Sequence, residues 1–255
     1  MRSYEHGGNP YALKAKKGIA LESVIDFSAN INPLGPSEKG LSALTEILER
    51  CRSPLTRYPD PDYAQLRKKL ADYHGAGADE TQIYPTNGGI EAIHDVFRAL
   101  RPQKTMIVAP AFVEYEKAAA AHSGETVFFL LEEAQDFALV PGDFFEALDH
   151  HRPDLVVLGS PNNPTGKVVG KQDLISTLGR LSAWNGALLT DEAFMEFLPE
   201  ESEWSMAGEV TTFGNLFVTR SLTKFFAVPG LRAGYLMTSS EAFKAYWETI
   251  KPVWG

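Results

Sequence analysis

Lys224 stands in the stretch Arg220-Ser221-Leu222-Thr223-Lys224-Phe225-Phe226-Ala227-Val228-Pro229-Gly230-Leu231-Arg232, a mostly apolar segment directly after the strand-like run Asn215-Leu216-Phe217-Val218-Thr219. An ammonium placed among phenylalanines loses hydration, its pKa falls, and the free amine becomes a nucleophile for an aldehyde. Ser221 and Arg232 flank it, one with a hydroxyl and the other with a guanidinium fork, which together suit a phosphate. The same segment also reads as a surface lysine after a strand, its neighbours serving the core. What separates the two readings is whether the rest of the chain supplies the other parts of a site for a phosphorylated aldehyde such as pyridoxal phosphate.

Four further segments supply such parts, and each also has a plainer reading. Thr86-Asn87-Gly88-Gly89 runs into the helix-like Ile90-Glu91-Ala92-Ile93-His94-Asp95-Val96-Phe97. Free N–H groups at a helix start, with no Cβ on Gly88 or Gly89, can close on an anion; a simple turn has the same sequence. Pro110-Ala111-Phe112-Val113-Glu114-Tyr115 offers Phe112 as a ring to stack on a pyridine face, or as a core aromatic. In Ser160-Pro161-Asn162-Asn163-Pro164-Thr165-Gly166, Asn163 can aim its amide at a phenolic oxygen, or the string is a tight loop. Asp191, in Asp191-Glu192-Ala193-Phe194, can keep a pyridine nitrogen protonated, the charge that makes the ring an electron sink, or it can cap a helix.

The elements that must position these residues follow from the apolar pattern. Met106–Ala109, Val127–Leu131, Leu155–Leu158, Ala187–Thr190, Leu216–Val218 and Gly234–Met237 are short runs that are apolar throughout, the mark of strands covered on both faces. Helical patterns lie between most of them, as from Asp173 to Trp184 with Leu174, Leu178 and Leu181 on one face. This predicts an α/β domain with a mostly parallel sheet between helices, whose strand ends gather the site. Upstream, a helix is expected from Ser37 through Leu41, Leu44, Ile47 and Leu48, and another from near Pro61 through Leu66, Leu70 and Tyr73. Residues 1–36, with Gly7-Gly8-Asn9-Pro10 and a turn-rich run from Ser28 to Pro36, read as an N-terminal arm.

Composition narrows the classes. A chain of 255 residues with 44% hydrophobic content can bury a sizeable core, and a net charge of −9 leaves no basic stripe for nucleic acid. Cys51 is the only cysteine, so no intrachain disulfide forms, and packing is its expected role. The start at Met1 lacks the apolar core of a signal peptide, and no run reaches membrane-spanning length, which makes the cytoplasm the expected compartment. No metal site is expected.

In this order, each after a strand, the segments resemble the fold-type I pyridoxal phosphate enzymes of the class I/II aminotransferase group. The strings His6-Gly7-Gly8-Asn9, Phe27-Ser28-Ala29-Asn30-Ile31-Asn32-Pro33-Leu34-Gly35, Arg57-Tyr58-Pro59-Asp60, Asp191-Glu192-Ala193-Phe194 and Arg220-Ser221-Leu222-Thr223-Lys224-Phe225 are similar to the branch that holds histidinol-phosphate aminotransferases and the threonine-phosphate decarboxylases of cobalamin biosynthesis. The resemblance implies a seven-stranded large domain over residues 37–255. It implies cofactor contacts from Gly88, Gly89, Ile90, Phe112, Asn163, Asp191, Phe194, Ser221, Lys224 and Arg232, with Lys224 and Asp191 catalytic. It also implies a homodimer in which Tyr58 reaches the phosphate in the neighbouring subunit, and a phosphorylated amino acid or amine as substrate, near His6, Asn32 and Asn163. Aminotransferases of the group usually carry tyrosine where this chain has Phe194, a departure that favours the decarboxylase, so that the leading expectation is a lyase that releases the α-carboxylate of threonine phosphate as carbon dioxide.

The apolar finish Lys251-Pro252-Val253-Trp254-Gly255 reads as a cut, and the family's small C-terminal domain, with the arginine that grips the substrate carboxylate, is expected to be absent. An aminotransferase and an inactive or ligand-sensing aminotransferase-like domain stand as the other readings.

Overall fold

A computed structural model describes residues 7–20, 23–50, 56–75 and 78–251. The expectations for His6, Cys51, Val253 and Trp254 lie outside the described residues.

In chain order the helices and strands are α1 (Pro10–Lys17), α2 (Glu38–Arg50), α3 (Ala64–His74), β1 (Ile83–Thr86), α4 (Gly89–Leu100), β2 (Lys104–Ala109), α5 (Val113–His122), β3 (Glu125–Leu130), α6 (Pro141–His151), β4 (Leu155–Gly159), α7 (Lys171–Ser182), β5 (Ala187–Asp191), α8 (Glu201–Trp204), β6 (Leu216–Ser221), β7 (Gly234–Met237) and α9 (Glu241–Ile250). The strands form one seven-stranded sheet in the order β1-β7-β6-β5-β4-β2-β3. β7 runs antiparallel to both of its neighbours and the pairings from β6 to β3 are parallel.

The uniformly apolar runs of β2 and β4 to β7 are explained by two cores, one per sheet face, whereas β3, expected to be covered on both faces, lies at the edge and leaves Phe128 and Leu130 exposed. Val156, Leu158, Leu188, Leu216 and Val218 pack with Phe144, Leu148, Leu174, Leu178 and Leu181 of α6 and α7. The alternate residues Leu155, Val157, Leu189 and Phe217 pack with Ile93, Val96 and Phe97 of α4, Tyr115 of α5, and Phe243 and Trp247 of α9. Strand alternation therefore gives each face its own layer of helices.

The strand runs expected from the sequence are all present, Gly234–Met237 with the expected ends and the other five with shifted ones, and a seventh strand, Ile83–Thr86, joins them. It carries Pro85, which lacks an N–H and is tolerated because β1 lies at the edge of the sheet. The helix expected near Pro61 starts at Ala64 instead. The Asp60 carboxylate accepts from the Asp62 and Ala64 N–H groups and holds Pro61 and Asp62 in a turn. Ser37 is the cap of α2, its Oγ accepting from Gly40 N–H at 3.1 Å. The arm contains the two-turn helix α1, and among the described residues no helix is long and apolar enough to cross a membrane.

Candidate active site

The carboxyl ends of the central strands converge. Asp191 ends β5 and Ser221 ends β6, while Ser160 and Phe112 follow β4 and β2. Two small regions are built there, one suited to an anion and one to a ring.

The anion region begins at α4. Gly88 precedes the helix with φ +87, a conformation that glycine adopts without strain, and Gly89 and Ile90 open the first turn with their N–H groups unpaired by the helix. A Cβ on Gly88 would lie 2.7 Å from Arg232 Nη2, so the guanidinium covers the turn where a side chain would otherwise stand. Gly234 of β7 brings the strand against the same turn: its Cβ would lie 2.7 Å from Gly88 C and Gly89 N. Ser221 closes the other side, its Cβ 3.7 Å from where a Gly89 Cβ would be, and its Oγ lies 2.8 Å from Thr223 Oγ1. Two hydroxyls, a helix start and a guanidinium thus surround a cradle that the missing Cβ atoms leave open.

The ring region is a cavity of about 60 Å³ lined by Phe112, Tyr115, Pro161, Asn163, Asp191, Ala193, Phe194 and Lys224. Burial pulls the Lys224 ammonium below its ordinary pKa, and the Arg232 charge adds to the effect, while Asp191 acts against it. Burial raises the Asp191 carboxyl above its usual range against three donors: Tyr115 Oη at 2.8 Å on Oδ2, and Thr219 Oγ1 and Ala193 N, both at 3.1 Å, on Oδ1. A wider groove of about 400 Å³ adjoins it, sharing Pro161, Asn163 and Phe194 and bounded by Asn30 and Ile31.

The remaining expected residues are placed as follows. Asn32 docks on the Lys224 loop: its N–H donates to Lys224 O at 3.1 Å, its Nδ2 to Phe225 O at 2.9 Å, and its Oδ1 accepts from Leu34 N–H. Tyr58 is 77% exposed and does not line this cavity. Asn163 lines both openings, whereas Asn162 is buried and spends its Nδ2 on Pro110 O and Thr165 Oγ1, locking the loop.

Sequence reasoning passed over Tyr115, Thr219 and Thr223 as site residues. The signal for Thr219 lay in strand alternation, since Phe217, Thr219 and Ser221 point to one face and Arg220 to the other. That opposite face holds a buried cluster. Arg220 is fully buried and pairs with Glu192 at 2.9 Å, Glu196 at 3.2 Å and Glu201 at 2.8 Å. It anchors the strand that delivers Ser221 and Lys224.

This is the layout of a fold-type I domain, and comparison with known proteins agrees. The family model "Aminotransferase class I and II" matches residues 22–255, and the chain belongs to that family. It is 39% identical to a threonine-phosphate decarboxylase of Salmonella typhimurium, over 98% of this chain and 66% of that protein. It is 31% identical to a histidinol-phosphate aminotransferase of Methanosarcina mazei, over 98% of this chain and 63% of that one. Among solved structures, the histidinol-phosphate aminotransferase of Clostridium acetobutylicum superposes with a TM-score of 0.78 at 32% identity, covering 90% of this chain and 65% of that one. The chain spans just under two thirds of the length of these relatives.

The cofactor of this family is pyridoxal phosphate. The residues present fit it: the glycine cradle under Arg232 suits the phosphate, and the cavity places a lysine of lowered pKa and a buried carboxylate together.

Proposed function

We propose that residues 37–255 form a pyridoxal phosphate-binding catalytic domain that decarboxylates L-threonine O-3-phosphate to (R)-1-aminopropan-2-yl phosphate, a step of cobalamin biosynthesis. The observation that carries the reading is the meeting of Lys224 and Asp191 in one cavity, with the Arg232 guanidinium of the Gly88 cradle near enough for its charge to act on Lys224. The bound cofactor supplies an electron sink for the electron pair left at the substrate α-carbon.

Gly88, Gly89, Ile90, Ser221 and Arg232 would hold its phosphate, Phe112 would lie against the ring, and Asn163 would serve its phenolic oxygen. Lys224 Nζ is the covalent anchor and afterwards the proton carrier at the α-carbon. Asp191 keeps its charge toward the ring nitrogen, and Tyr58 completes the phosphate site of the partner subunit in a homodimer. His6, Asn32 and Asn163 are assigned to the substrate, Asn32 through the loop it holds beside Lys224. In the lyase reading the α-carboxylate leaves as carbon dioxide and a proton takes its place. Phe194 supports that reading, because a phenyl ring cannot donate to the phenolic oxygen as the tyrosine usual in aminotransferases does.

The same anchors serve an aminotransferase acting on a substrate such as histidinol phosphate, which is the second reading; the likeness to the Clostridium acetobutylicum structure favours it. The test supplies the cofactor-loaded chain with threonine phosphate, and separately with histidinol phosphate plus 2-oxoglutarate. Carbon dioxide release from the first is expected. Glutamate formation in the second instead assigns the aminotransferase, and cofactor binding with neither product assigns a ligand-sensing or inactive domain.

A further inference from the structure

We propose that Tyr115 is a positioning residue that holds both the Asp191 carboxylate and the Phe112 ring in place for the cofactor, an inference that rests on the pyridoxal phosphate reading of the site.

Three observations converge on it. The Tyr115 side chain is buried, 1% exposed, and its hydroxyl donates to Asp191 Oδ2 at 2.8 Å. With Thr219 and the Ala193 N–H on Oδ1, the carboxylate is gripped from three elements: α5, the neighbouring strand β6 and its own turn. Tyr115 supplies the sole donor among the described residues on Oδ2, and a carboxylate oxygen keeps a further acceptor site when it takes one bond. A carboxylate held on both oxygens cannot rotate away, so its charge stays where the side chain points.

The neighbouring strand is shaped around that hydroxyl. A Cβ on Gly159, the last residue of β4, would lie 3.1 Å from Tyr115 Oη, so the strand end carries no side chain where the hydroxyl passes to Asp191. The same ring braces Phe112, which stands three residues earlier at the cap of α5. The two rings meet edge to face at a centroid distance of 5.8 Å. One side chain therefore fixes the two groups assigned to the ring's nitrogen and to its face. Burial, and then the Asp191 charge, push the Tyr115 hydroxyl well above its ordinary pKa, so it stays a donor throughout the working range of pH.

The experiment compares wild type with Tyr115→Phe, and with Tyr246→Phe as a matched control that removes another tyrosine-to-aspartate hydrogen bond, 3.0 Å from Asp95. Two quantities are read: the titration of Asp191 by carboxylate 13C resonance in the cofactor-free protein, and the affinity for added pyridoxal phosphate. Loss of the donor is expected to raise the Asp191 pKa by half a unit or more and to weaken cofactor binding about tenfold, as for one hydrogen bond to a charged group. Tyr246→Phe is expected to do neither. If Tyr115→Phe fails to fold, Gly159→Ala keeps the ring and presses on the hydroxyl at 3.1 Å, with Asn162 at 3.3 Å, and a rise in the pKa of Asp191, which Asn162 does not contact, is the change expected. An Asp191 titration that stays put in a folded variant, or a Tyr115→Phe affinity within twofold of wild type, overturns the positioning role alone. A wild-type chain that binds no pyridoxal phosphate takes down the cofactor reading and this inference with it.

Discussion

Asp191 and Phe112, two of the side chains assigned to the ring, share Tyr115 as a neighbour, one through its hydroxyl and the other through its ring edge. Asp191 is expected to govern the electronics of the site more than cofactor retention, because the phosphate is held elsewhere. Asp191→Ala should still bind cofactor, with no less than the roughly tenfold loss expected for Tyr115→Phe, and should lose turnover by more, several kcal/mol, about the size of an electrostatic preorganisation effect. Steady-state kinetics beside an equilibrium binding titration check this, and near-normal turnover contradicts it. Gly88 is the converse case. At φ +87, with its Cβ direction filled by Arg232 2.7 Å away, Gly88→Ala strains the backbone and displaces the guanidinium together. Cofactor affinity should fall at least tenfold, measured by absorbance titration. Lys224, Asp191, Phe112, Asn163, Ser221, Gly88 and Gly89 were legible as candidates because each is a chemically distinctive type at or after a strand's end, and Arg232 because it flanks Lys224. Tyr115 was not, because a tyrosine three residues past Phe112, in the first turn of a helix, looks like core, and only the fold brings it to Asp191.

At the scale of elements, β6 carries two separate functions on its two faces. Thr219 and Ser221 face the site, while Arg220 enters the cluster of Glu192, Glu196 and Glu201. Burial raises Glu196 to about 7 against the pull of Arg220, and lowers His74 to about 4. The signs follow from proton binding. Native Glu196 keeps its proton above pH 4.5 where the unfolded chain releases it, so its contribution to stability falls as pH rises from 4.5 to about 7. Native His74 stays neutral below pH 6.5 where the unfolded chain takes a proton, so its contribution rises with pH from about 4 to 6.5. Glu196→Gln removes only the first. The variant should gain stability relative to wild type between pH 5 and pH 7, by up to about 1.4 kcal/mol per pH unit. Denaturant titrations at the two pH values check this, and a difference independent of pH contradicts it. The close seat of β7 on the phosphate turn gives a further expectation. Gly234→Ala meets backbone atoms at 2.7–2.8 Å and should cost about 1–3 kcal/mol of stability, read from the shift in denaturation midpoint. The six apolar strands were legible from their composition alone. The edge strand β1 was not, since its proline and four-residue length erase the pattern, and the Arg220 cluster draws Glu196 and Glu201 from segments with no periodicity to announce it.

At the scale of the molecule, the proposed homodimer makes Tyr58 a residue of the neighbouring site. Tyr58→Phe and Lys224→Ala should each bind cofactor poorly. Mixed and allowed to exchange subunits, they should regain a fraction of tight sites, because the mixed dimer pairs an intact Lys224 with a partner's intact Tyr58; no recovery contradicts the shared site. The central claim is that Lys224 is the covalent anchor for pyridoxal phosphate, and its most direct test is borohydride reduction of the cofactor-loaded chain followed by peptide mapping. The account predicts a pyridoxyl label on Lys224 that disappears in Lys224→Ala. A label on another lysine, or one that persists in Lys224→Ala, contradicts it.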